Sequence, residues 1–490
     1  MTTYYLACDL GLDHGRILLG TLNRAQLSMQ EIATFPIRAK TGASLDLAEL
    51  EKQIHAAIAQ AAALDLPISG LSATSWDGDY VLLDAKDRPL PVSTKDKKST
   101  TTDRLLKKLP MATIYAETGI PLMPLHTLFQ IDAEHAANPA AFQRAERFLP
   151  IADYLNTRFS GVAACEESLA STTQLFNPQT HAWSPKLFAA LDIPGSMAPR
   201  LVPSGTAIGP VVDELRKHPA LLNTRVVATC SHARAAAIAA IPARAEQNWA
   251  FLYSGARSHF GAELSEPILS SQACEDGFTN EVGLGGSIQF LRNSPGLSLL
   301  EGCKRAWAGV DQIYTDEQLT RMATGAAQAH INPDHSRFVD PANMLDEIAG
   351  FCRETGQPVP LKPGEFTRVI LESLALAHGE TLLRLEALTR REMEVLHVIG
   401  GRGGQNDLLN QLIADATGLP VLAGPEDAAA IGNVLIQALA LWQLRSPDHL
   451  RSIVAISFPT RILKPGATFD RRTREKFRTL CEQSPTAVAA

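Results

Sequence analysis

The chain has 490 residues, and its 45 basic and 52 acidic side chains give a formal net charge of −7. This length accommodates two or three domains, and a chain with 45% hydrophobic and 20% charged residues is globular rather than disordered. The mild acidity argues against a nucleic-acid-binding surface, and no apolar stretch has the length of a membrane span. We therefore expect neither nucleic acid nor a membrane as a partner.

The seven cysteines are scattered singly along the chain. No Cys-x-x-Cys or His-Glu-x-x-His pattern occurs, so the sequence predicts no structural zinc site. An odd number of widely spaced thiols is typical of a reducing compartment, and the N-terminus lacks the basic and apolar regions of a secretory signal. We expect a cytoplasmic protein.

Predicted strands and helices alternate along the chain. In the N-terminal half they are strands at 4–9, 16–22, 27–35, 68–75, 80–84 and 226–230, a helix at 47–63 capped by Asp46, an irregular stretch to 213 and an Ala-rich helix ending at 241. In the C-terminal half they are a strand–turn–strand unit at 249–261, strands at 395–399 and 421–423, and helices at 366–388, from 406 and at 428–444.

The unit at 249–261 resembles the opening of the chain in pattern, which indicates two related α/β domains. We predict their extents as residues 1–243 and 244–464. The polar residues 465–490 are predicted to form a loose tail.

Two glycine-containing segments are candidate phosphate sites. Residues 9–16, Asp-Leu-Gly-Leu-Asp-His-Gly-Arg, lie between two predicted strands, but on their own they are explained more simply by a hairpin turn. Residues 400–406, Gly-Gly-Arg-Gly-Gly-Gln-Asn, lie between a predicted strand and a helix, whose free N–H groups suit a phosphate. This segment matches neither the P-loop nor the Rossmann spacing, so nucleotide binding and a tight structural turn both stay open.

Two further segments follow predicted strands, where α/β proteins place their chemistry. In residues 75–79, Ser-Trp-Asp-Gly-Asp, Trp76 can stack on a sugar and Asp77 or Asp79 can accept its hydroxyls. In residues 231–234, Ser-His-Ala-Arg, a polar pair opens a helix. The alternatives are a solvated turn beside a core tryptophan, and a helix whose N-cap is Ser231 and whose His232 is structural.

An ordered set of segments covers nearly the whole chain. Besides Asp9 and Trp76, it comprises residues 79–84, 126–130, 171–175, 227–232, 279–281, 331–334, 337–338, 405–410, 423–426 and 432–433. Taken together, these segments resemble the FGGY carbohydrate kinases, most closely the rhamnulokinase branch. The resemblance implies an α/β protein with two actin-like (ribonuclease-H-like) ATPase domains facing a central cleft, with the sugar mainly on the first domain and ATP on the second.

The resemblance also implies that the γ-phosphoryl group of ATP is transferred, with Mg²⁺, to the 1-hydroxyl of a ketose such as L-rhamnulose. The implied sugar-binding residues are Trp76, Asp77, Asp79, Asp96, His232 and Asn293. The implied nucleotide-binding residues are Asp9, Gly11, Asp13, His14, Arg16, Gly255, Ala256, Glu301, Gly401, Arg402, Gly403 and Asn406, with Asp9 also at the metal. We expect a monomer or a homodimer.

The chain departs from the family pattern at several of these positions. The aspartate that accepts the sugar proton is replaced by Ala233, and the threonine after it by Arg234. Further departures are Asp13 and His14 for small hydroxyl residues, Asp77 for glycine, Ala256 for threonine, Glu301 for glutamine, and Arg402 within a glycine turn that is one residue longer.

These departures leave two hypotheses. One is a sugar kinase whose base has moved to His232 or Asp77. The other is a catalytically silent protein that binds or senses a sugar or sugar phosphate, with arginines that recognise the anion. Alternatively, those arginines pair with the new acids and hold no ligand. The arginines are Arg234, Arg257 and Arg402, and the acids are Asp13, Asp77 and Glu301. A chaperone-type or actin-type ATPase is a third, more distant class, which the sugar-side segments disfavour.

Overall fold

A computed structural model describes residues 2–37, 45–91 and 102–483, with the backbone alone for residues 402 and 403. The predicted sugar contact Asp96 lies outside these ranges, and the side chain of Arg402 is outside the description as well. The strands are β1 (Thr2–Leu10), β2 (His14–Asn23), β3 (Gln26–Pro36), β4 (Ile68–Thr74), β5 (Tyr80–Leu83), β6 (Arg147–Pro150), β7 (Cys165–Glu166), β8 (Phe176–Asn177), β9 (Ala182–Trp183), β10 (Leu201–Val202), β11 (Thr206–Pro210), β12 (Arg225–Ala228), β13 (Trp249–Ser254), β14 (Arg257–Leu264), β15 (Phe278–Val282), β16 (Ile288–Pro295), β17 (Val395–Ile399), β18 (Val421–Ala423) and β19 (Arg461–Leu463).

The helices are distributed over both halves of the chain. They are α1 (Leu47–Ala62), α2 (Asp103–Lys108), α3 (Met111–Thr118), α4 (Thr127–Ala137), α5 (Pro139–Arg144), α6 (Ile151–Ser160), α7 (Glu167–Ser171), α8 (Pro185–Ala190), α9 (Asp213–Arg216), α10 (Ala233–Ala239), α11 (Ser271–Glu275), α12 (Ser298–Ala308), α13 (Asp316–Met322), α14 (Met344–Glu354), α15 (Pro363–Thr389), α16 (Gly401–Gln405), α17 (Asp407–Thr417), α18 (Ala428–Ala440), α19 (Pro447–Ser457) and α20 (Arg471–Gln483). None of the helices described is long and apolar enough to cross a bilayer.

Two large sheets repeat one topology. The N-terminal sheet has the strand order β11-β12-β4-β1-β2-β3, and the C-terminal sheet has the order β15-β16-β14-β13-β17-β18-β19. In each, an antiparallel meander (β1–β2–β3, or β13–β14–β16) continues into parallel strands beside its first strand (β4 and β12, or β17 and β18). This repeated order confirms the predicted fold class of two actin-like α/β domains.

Strand β1 shows why its sequence is apolar on both faces. Leu6 and Cys8 belong to the core that contains α1, whereas Tyr5 and Ala7 pack into a second core with α10 and α18. Because successive side chains point to opposite faces, a strand covered on both sides has no polar face. Asp9, the first predicted nucleotide-site residue, lies one position before the end of the strand.

Helices α10 and α18 cross where the two domains meet. A Cβ atom at Gly432 would lie only 1.9 Å from the carbonyl oxygen of Ala236, so glycine is required at this crossing. On α18, Gln437 donates to the carbonyl oxygen of Leu6 at 3.0 Å, which joins this C-terminal helix to the N-terminal sheet. The alanines of α10 therefore allow the close contact between the domains.

Two predicted helix starts are confirmed and the predicted tail is wrong. Asp46 accepts from the N–H of Glu49 at 3.0 Å, and Asn406 accepts from the N–H of Leu409 at 3.0 Å. The described part of the tail ends in helix α20, where Phe477 is buried and Arg478 pairs with a glutamate of α15 at 2.9 Å. The local polarity of residues 471–483 concealed an amphipathic helix whose apolar face lies on the second domain.

Candidate active site

The two sugar-side segments meet at the carboxyl ends of β4 and β12. The N–H of Ser75 donates to the carbonyl oxygen of Ser231 at 2.9 Å, and the N–H of Ala233 donates to the carbonyl oxygen of Ser75 at 3.0 Å. The loop of Trp76 and Asp77 therefore begins against the start of α10. This arrangement is the strand-end juxtaposition that the α/β pattern predicts.

The Trp76 loop is arranged by its own polar side chains. The indole N–H of Trp76 donates to Asp79 Oδ2 at 3.0 Å, which orients a half-buried ring. Gly78 has a φ of +85°, and a Cβ atom there would lie 2.8 Å from the carbonyl oxygen of Leu125. Asp77 lies between Trp76 and Gly78 in the sequence, and its side chain is half-buried.

Arg234 connects the domains through a buried ion pair. Its side chain is 8% exposed, and its Nη2 atom lies 2.7 and 2.5 Å from the two carboxylate oxygens of Glu281 on β15. Its Nη1 atom lies 3.0 Å from Nδ1 of His259 on β14. The helix N-cap is His232, without a side-chain capping bond, so the alternative that Ser231 is the N-cap is wrong.

Both expectations for Arg234 need correction. We predicted that it faces an anionic ligand or pairs with a new acid, whereas its direct partner is Glu281, which belongs to a segment that carries the family resemblance. Asp77 contributes only through its longer-range charge. A guanidinium already held by a carboxylate is a poor site for a second anion. Arg257 begins β14 with an exposed side chain.

The charges in this network are sharply defined. Burial raises the pKa of Glu281, but the charges of Arg234 and His232 outweigh burial and hold that pKa well below its usual range. Burial lowers the pKa of His259 to about 3, and the charge of Arg234 adds to the shift. Burial likewise lowers the pKa of His126. At neutral pH the carboxylate is therefore ionised and these two histidines are neutral.

The predicted sugar contact Asn293 lies next to this network. It is opposite His259 in the β14–β16 register, and its Oδ1 atom lies 2.5 Å from the imidazole Nδ1 atom. The sugar side of the cleft thus brings together Asp77, His232 and Asn293 from both domains. Sequence reasoning did not assign a role to His259 or Glu281.

A pair of buried carboxyl groups supports the Ser231–His232 segment from behind. Asp153 Oδ1 accepts from Ser231 Oγ at 2.7 Å, and Glu166 Oε2 accepts from the N–H of Ser231 at 2.7 Å. Burial, with the charge of Glu166, raises the pKa of Asp153 to about 8, and burial raises the pKa of Glu166 to about 7. Neither residue carries a sequence signal, because each lies in an ordinary helical or strand context.

The nucleotide side begins at the turn between β1 and β2. The N–H of Gly11 donates to the carbonyl oxygen of His14 at 3.0 Å, and the side chains of Asp13 and His14 are exposed. Arg16 lies 2.8 Å from Asp9 Oδ2 and 2.9 Å from Asp427 Oδ1. This second ion pair between the domains joins the predicted Asp9–Arg16 turn to the start of α18.

A cavity of about 320 Å³ opens beside Asp427. It is lined mainly by residues 423–427, Gly400, Gly401, Gly404 and Arg461. We predicted a turn over 400–404, but helix α16 begins at Gly401, directly after a glycine with a φ of +82°. A Cβ atom at Gly400 would lie 2.8 Å from the ring of Tyr253, so this glycine is needed for the close approach of the two segments.

Other predicted nucleotide residues surround this region. The carbonyl oxygens of Gly255 and Ala256 accept from the N–H groups of residues 297 and 296 at 3.0 and 3.1 Å, which attaches their turn to the start of α12. Glu301, on the first turn of α12, lies 3.4 Å from Lys304. Asn406 uses its amide within the fold, since Nδ2 also donates to Thr320 Oγ1 at 3.1 Å. Gly403 lies within α16.

The two sides of the cleft are adjacent. Burial raises the pKa of Tyr253, and the negative charge of Asp9 adds to the shift. Its half-buried ring lies 5.9 Å from the imidazole ring of His259 and packs beside Gly400. The Arg234 network and the glycine segment at 400–404 therefore meet at this tyrosine. Sequence reasoning did not identify this tyrosine.

The donor set suits Mg²⁺ carried by a nucleotide. The described residues contain no group of three or more His, Cys, Asp or Glu side chains that could hold a metal ion. Asp9 provides one carboxylate, whose Oδ1 atom has only a 3.4 Å contact with Thr74 Oγ1. Mg²⁺ keeps several waters and takes its remaining ligands from one or two carboxylates and substrate phosphates, so these residues fit it.

Two sheets of the same topology, facing each other across a charged cleft with a cavity, define a two-domain protein of the actin-like ATPase fold. Solved structures of a gluconate kinase and a xylulose kinase from Lactobacillus acidophilus agree with this fold. They cover 98% of this chain and 97% of their own, with TM-scores of 0.78 and 0.77 at 16% sequence identity.

The sequence relatives define the family. The model for the N-terminal domain of the FGGY family of carbohydrate kinases matches residues 4–239, and the model for its C-terminal domain matches residues 252–441. Rhamnulokinases of Bacteroides thetaiotaomicron and Bacillus subtilis are each 34% identical to the chain, over 95% and 96% of it and 96% of either relative. The chain therefore belongs to the FGGY family of carbohydrate kinases, which confirms the predicted resemblance. The boundary at 243/244 falls between the matched ranges and stays a prediction.

Proposed function

We propose that this chain phosphorylates a ketose of the L-rhamnulose type at its 1-hydroxyl, with ATP as the phosphoryl donor. The observation that carries the proposal is the cavity lined by Asp427, whose carboxylate pairs with Arg16 of the Asp9–Arg16 turn. Its volume is within the usual range of small-molecule sites. The rhamnulokinase relatives, similar over nearly the full chain, support the ketose assignment.

In this proposal each side of the cleft has a separate task. Trp76 and Asp79 orient the sugar, and His232 and Asn293 approach it from the two domains. Asp9 would hold the Mg²⁺ that enters with the nucleotide, and the bound metal would supply charge neutralisation at the phosphates. The transition state of phosphoryl transfer is loose, so catalysis rests on positioning, on charge neutralisation and on excluding water between the domains.

A second candidate function is a catalytically silent protein that binds a sugar or sugar phosphate. The observation in its favour is Ala233, whose methyl group cannot accept a proton. The pairing of Arg234 with Glu281 weakens the sugar-phosphate version, because the buried cation already has its counter-ion.

One assay separates the two functions. The purified chain is incubated with Mg-ATP and a panel of ketoses that includes L-rhamnulose, and sugar-dependent ADP release is measured. We expect release with at least one ketose, strongly reduced in an Asp9→Asn variant that retains the wild-type melting temperature. Thermal stabilisation by a ketose without any ADP release would instead establish the silent function.

Location and assembly stay predictions. The seven cysteines, all within the described ranges, are free thiols, which agrees with a reducing cytoplasm. A monomer or homodimer without nucleic-acid or membrane partners is part of the same proposal, and light scattering of the purified chain measures its assembly.

A further inference from the structure

The loop that carries Asp77 is anchored at both ends. One end is hydrogen-bonded to the start of α10, as described above. At the other end, the carbonyl oxygen of Gly78 accepts hydrogen bonds from Thr127 Oγ1 and Gln130 Nε2, both at 3.0 Å. Asp77 therefore has little backbone freedom, and its half-buried side chain is held within electrostatic reach of His232.

The carboxylates at the cleft differ in whether the protein supplies a donor. Three of them are engaged: Arg16 donates to Asp9, Trp76 to Asp79 and Arg234 to Glu281. By contrast, no residue within the described ranges donates a hydrogen bond to the carboxylate of Asp77. An acceptor left without a donor costs free energy unless water or a ligand supplies one. Asp77 is thus a sugar-side carboxylate that the described residues leave available to a ligand hydroxyl.

The surroundings keep this carboxylate ionised. Burial and the negative charge of Glu281 raise the pKa of Asp77, but interactions with His232, Arg234 and His126 favour the ionised form and together hold the pKa below its ordinary value. An ionised carboxylate at neutral pH can accept a proton or a hydrogen bond, which a methyl group cannot do.

We propose that Asp77 accepts the proton of the attacking sugar hydroxyl and so takes over the task that Ala233 cannot perform. The inference rests on the kinase activity proposed above. As the hydroxyl oxygen bonds to the γ-phosphorus of ATP, its proton moves to the carboxylate of Asp77. The bond from the γ-phosphorus to the β–γ bridging oxygen breaks, and its electron pair leaves with ADP. Asp77 then releases the proton to solvent.

Two neighbouring residues are weaker candidates for this step. Glu281 has both oxygens engaged by Arg234. His232 has its Nδ1 atom 3.5 Å from Glu281 Oε2, so a proton gained there is held by a buried carboxylate rather than passed to solvent. The histidine is therefore the residue against which Asp77 is tested.

The test is the steady-state kinetics of the full chain with Mg-ATP and the ketose that supports ADP release. We expect Asp77→Asn to lower kcat by about 10²–10⁴-fold, the usual contribution of a positioned proton acceptor, with little change in the KM for the sugar. Asp84→Asn is the matched control, because that carboxylate is on the same segment but pairs with Arg88; its kinetics should equal those of the wild type. Melting temperatures establish that the variants are folded.

A second set of variants removes the carboxylate at position 77 and places one at position 233, on the segment that is hydrogen-bonded to the Asp77 loop. Asp77→Gly should be as slow as Asp77→Asn, and adding Ala233→Asp should restore kcat by at least tenfold. If Asp77→Asn raises KM and leaves kcat unchanged, Asp77 only binds the sugar and the proposal is overturned. Loss of kcat in His232→Gln with an active Asp77→Asn variant assigns the role to the histidine. A wild-type chain without sugar-dependent ADP release overturns the kinase proposal itself.

Discussion

Among the described residues, an arginine–carboxylate ion pair joins the domains on each side of the cleft, and the two pairs differ in exposure. On the sugar side, the paired side chains of Arg234 and Glu281 are 8% and 3% exposed. On the nucleotide side, those of Arg16 and Asp427 are 30% and 44% exposed. Water can replace a lost partner in the exposed pair but not in the buried pair. Removing one residue of the buried pair should therefore lower the free energy of unfolding more than removing one residue of the exposed pair.

The departures from the family pattern follow the same division. On the sugar side, Asp77 and Arg234 are part of one network of charges, so the effect of either residue depends on the other. On the nucleotide side, Asp13 and His14 are exposed on a turn. The sugar-side departures are therefore electrostatically coupled to each other, whereas Asp13 and His14 are exposed to solvent.

The largest expected effect is the loss of the buried pair. Arg234→Ala should lower the free energy of unfolding by about 3–5 kcal/mol, because it leaves the Glu281 carboxylate buried without a counter-ion. Adding Glu281→Ala should recover part of this loss, and Arg216→Ala, in an exposed pair with Asp213, should cost less than about 1 kcal/mol. Urea denaturation at pH 7 measures all three. A double variant that loses the full sum would show that an uncompensated charge is not the cause.

The next effect is a pH dependence from the buried carboxyl groups behind Ser231. Asp153 and Glu166 hold their protons in the folded chain up to about pH 8 and 7, whereas unfolded carboxyl groups release theirs near pH 4. The folded state therefore binds more protons in this window, and its stability falls as the pH rises, by up to about 1.4 kcal/mol per pH unit for each group.

Asp153→Asn tests this pH dependence, because an amide cannot lose the proton. The variant should show a flatter decrease in unfolding free energy between pH 5 and 7 than the wild type does. Asp192→Asn, whose carboxylate has its pKa lowered by Lys108, should keep the wild-type slope. Identical slopes for Asp153→Asn and the wild type would mean that Asp153 is ionised in the folded chain.

The smallest effect is expected at the half-exposed pair. Asp427→Asn should lower the free energy of unfolding by less than about 1 kcal/mol, because Arg16 keeps its contact with Asp9 and solvent reaches the site. The same urea titration compares it with Glu281→Gln, which should cost several times more. Equal costs would remove the distinction between the two sides of the cleft.

Much of the fold could be predicted from local pattern. The strand at Val395–Ile399 and the capped starts of α1 and α17 depend on neighbouring residues, so periodicity and capping chemistry find them. The short helix α16 was mistaken for a turn because four glycines indicate a break, and local pattern does not show that Gly400, just before it, packs against the ring of Tyr253. The tail was mistaken for a loose segment because it has few apolar residues. Only the folded structure shows that one of them, Phe477 of α20, is buried.

The sequence by itself determined the α/β class, the resemblance to a kinase family and the methyl group at position 233, since each is written in local order or residue identity. Only the tertiary structure decided that Arg234 meets Glu281, 47 residues away in the other domain, and that none of the described residues donates a hydrogen bond to Asp77. The reason is that burial and ion pairing depend on residues that are distant in sequence. The free energy of a charged side chain is therefore set by its tertiary contacts rather than by its neighbours along the chain.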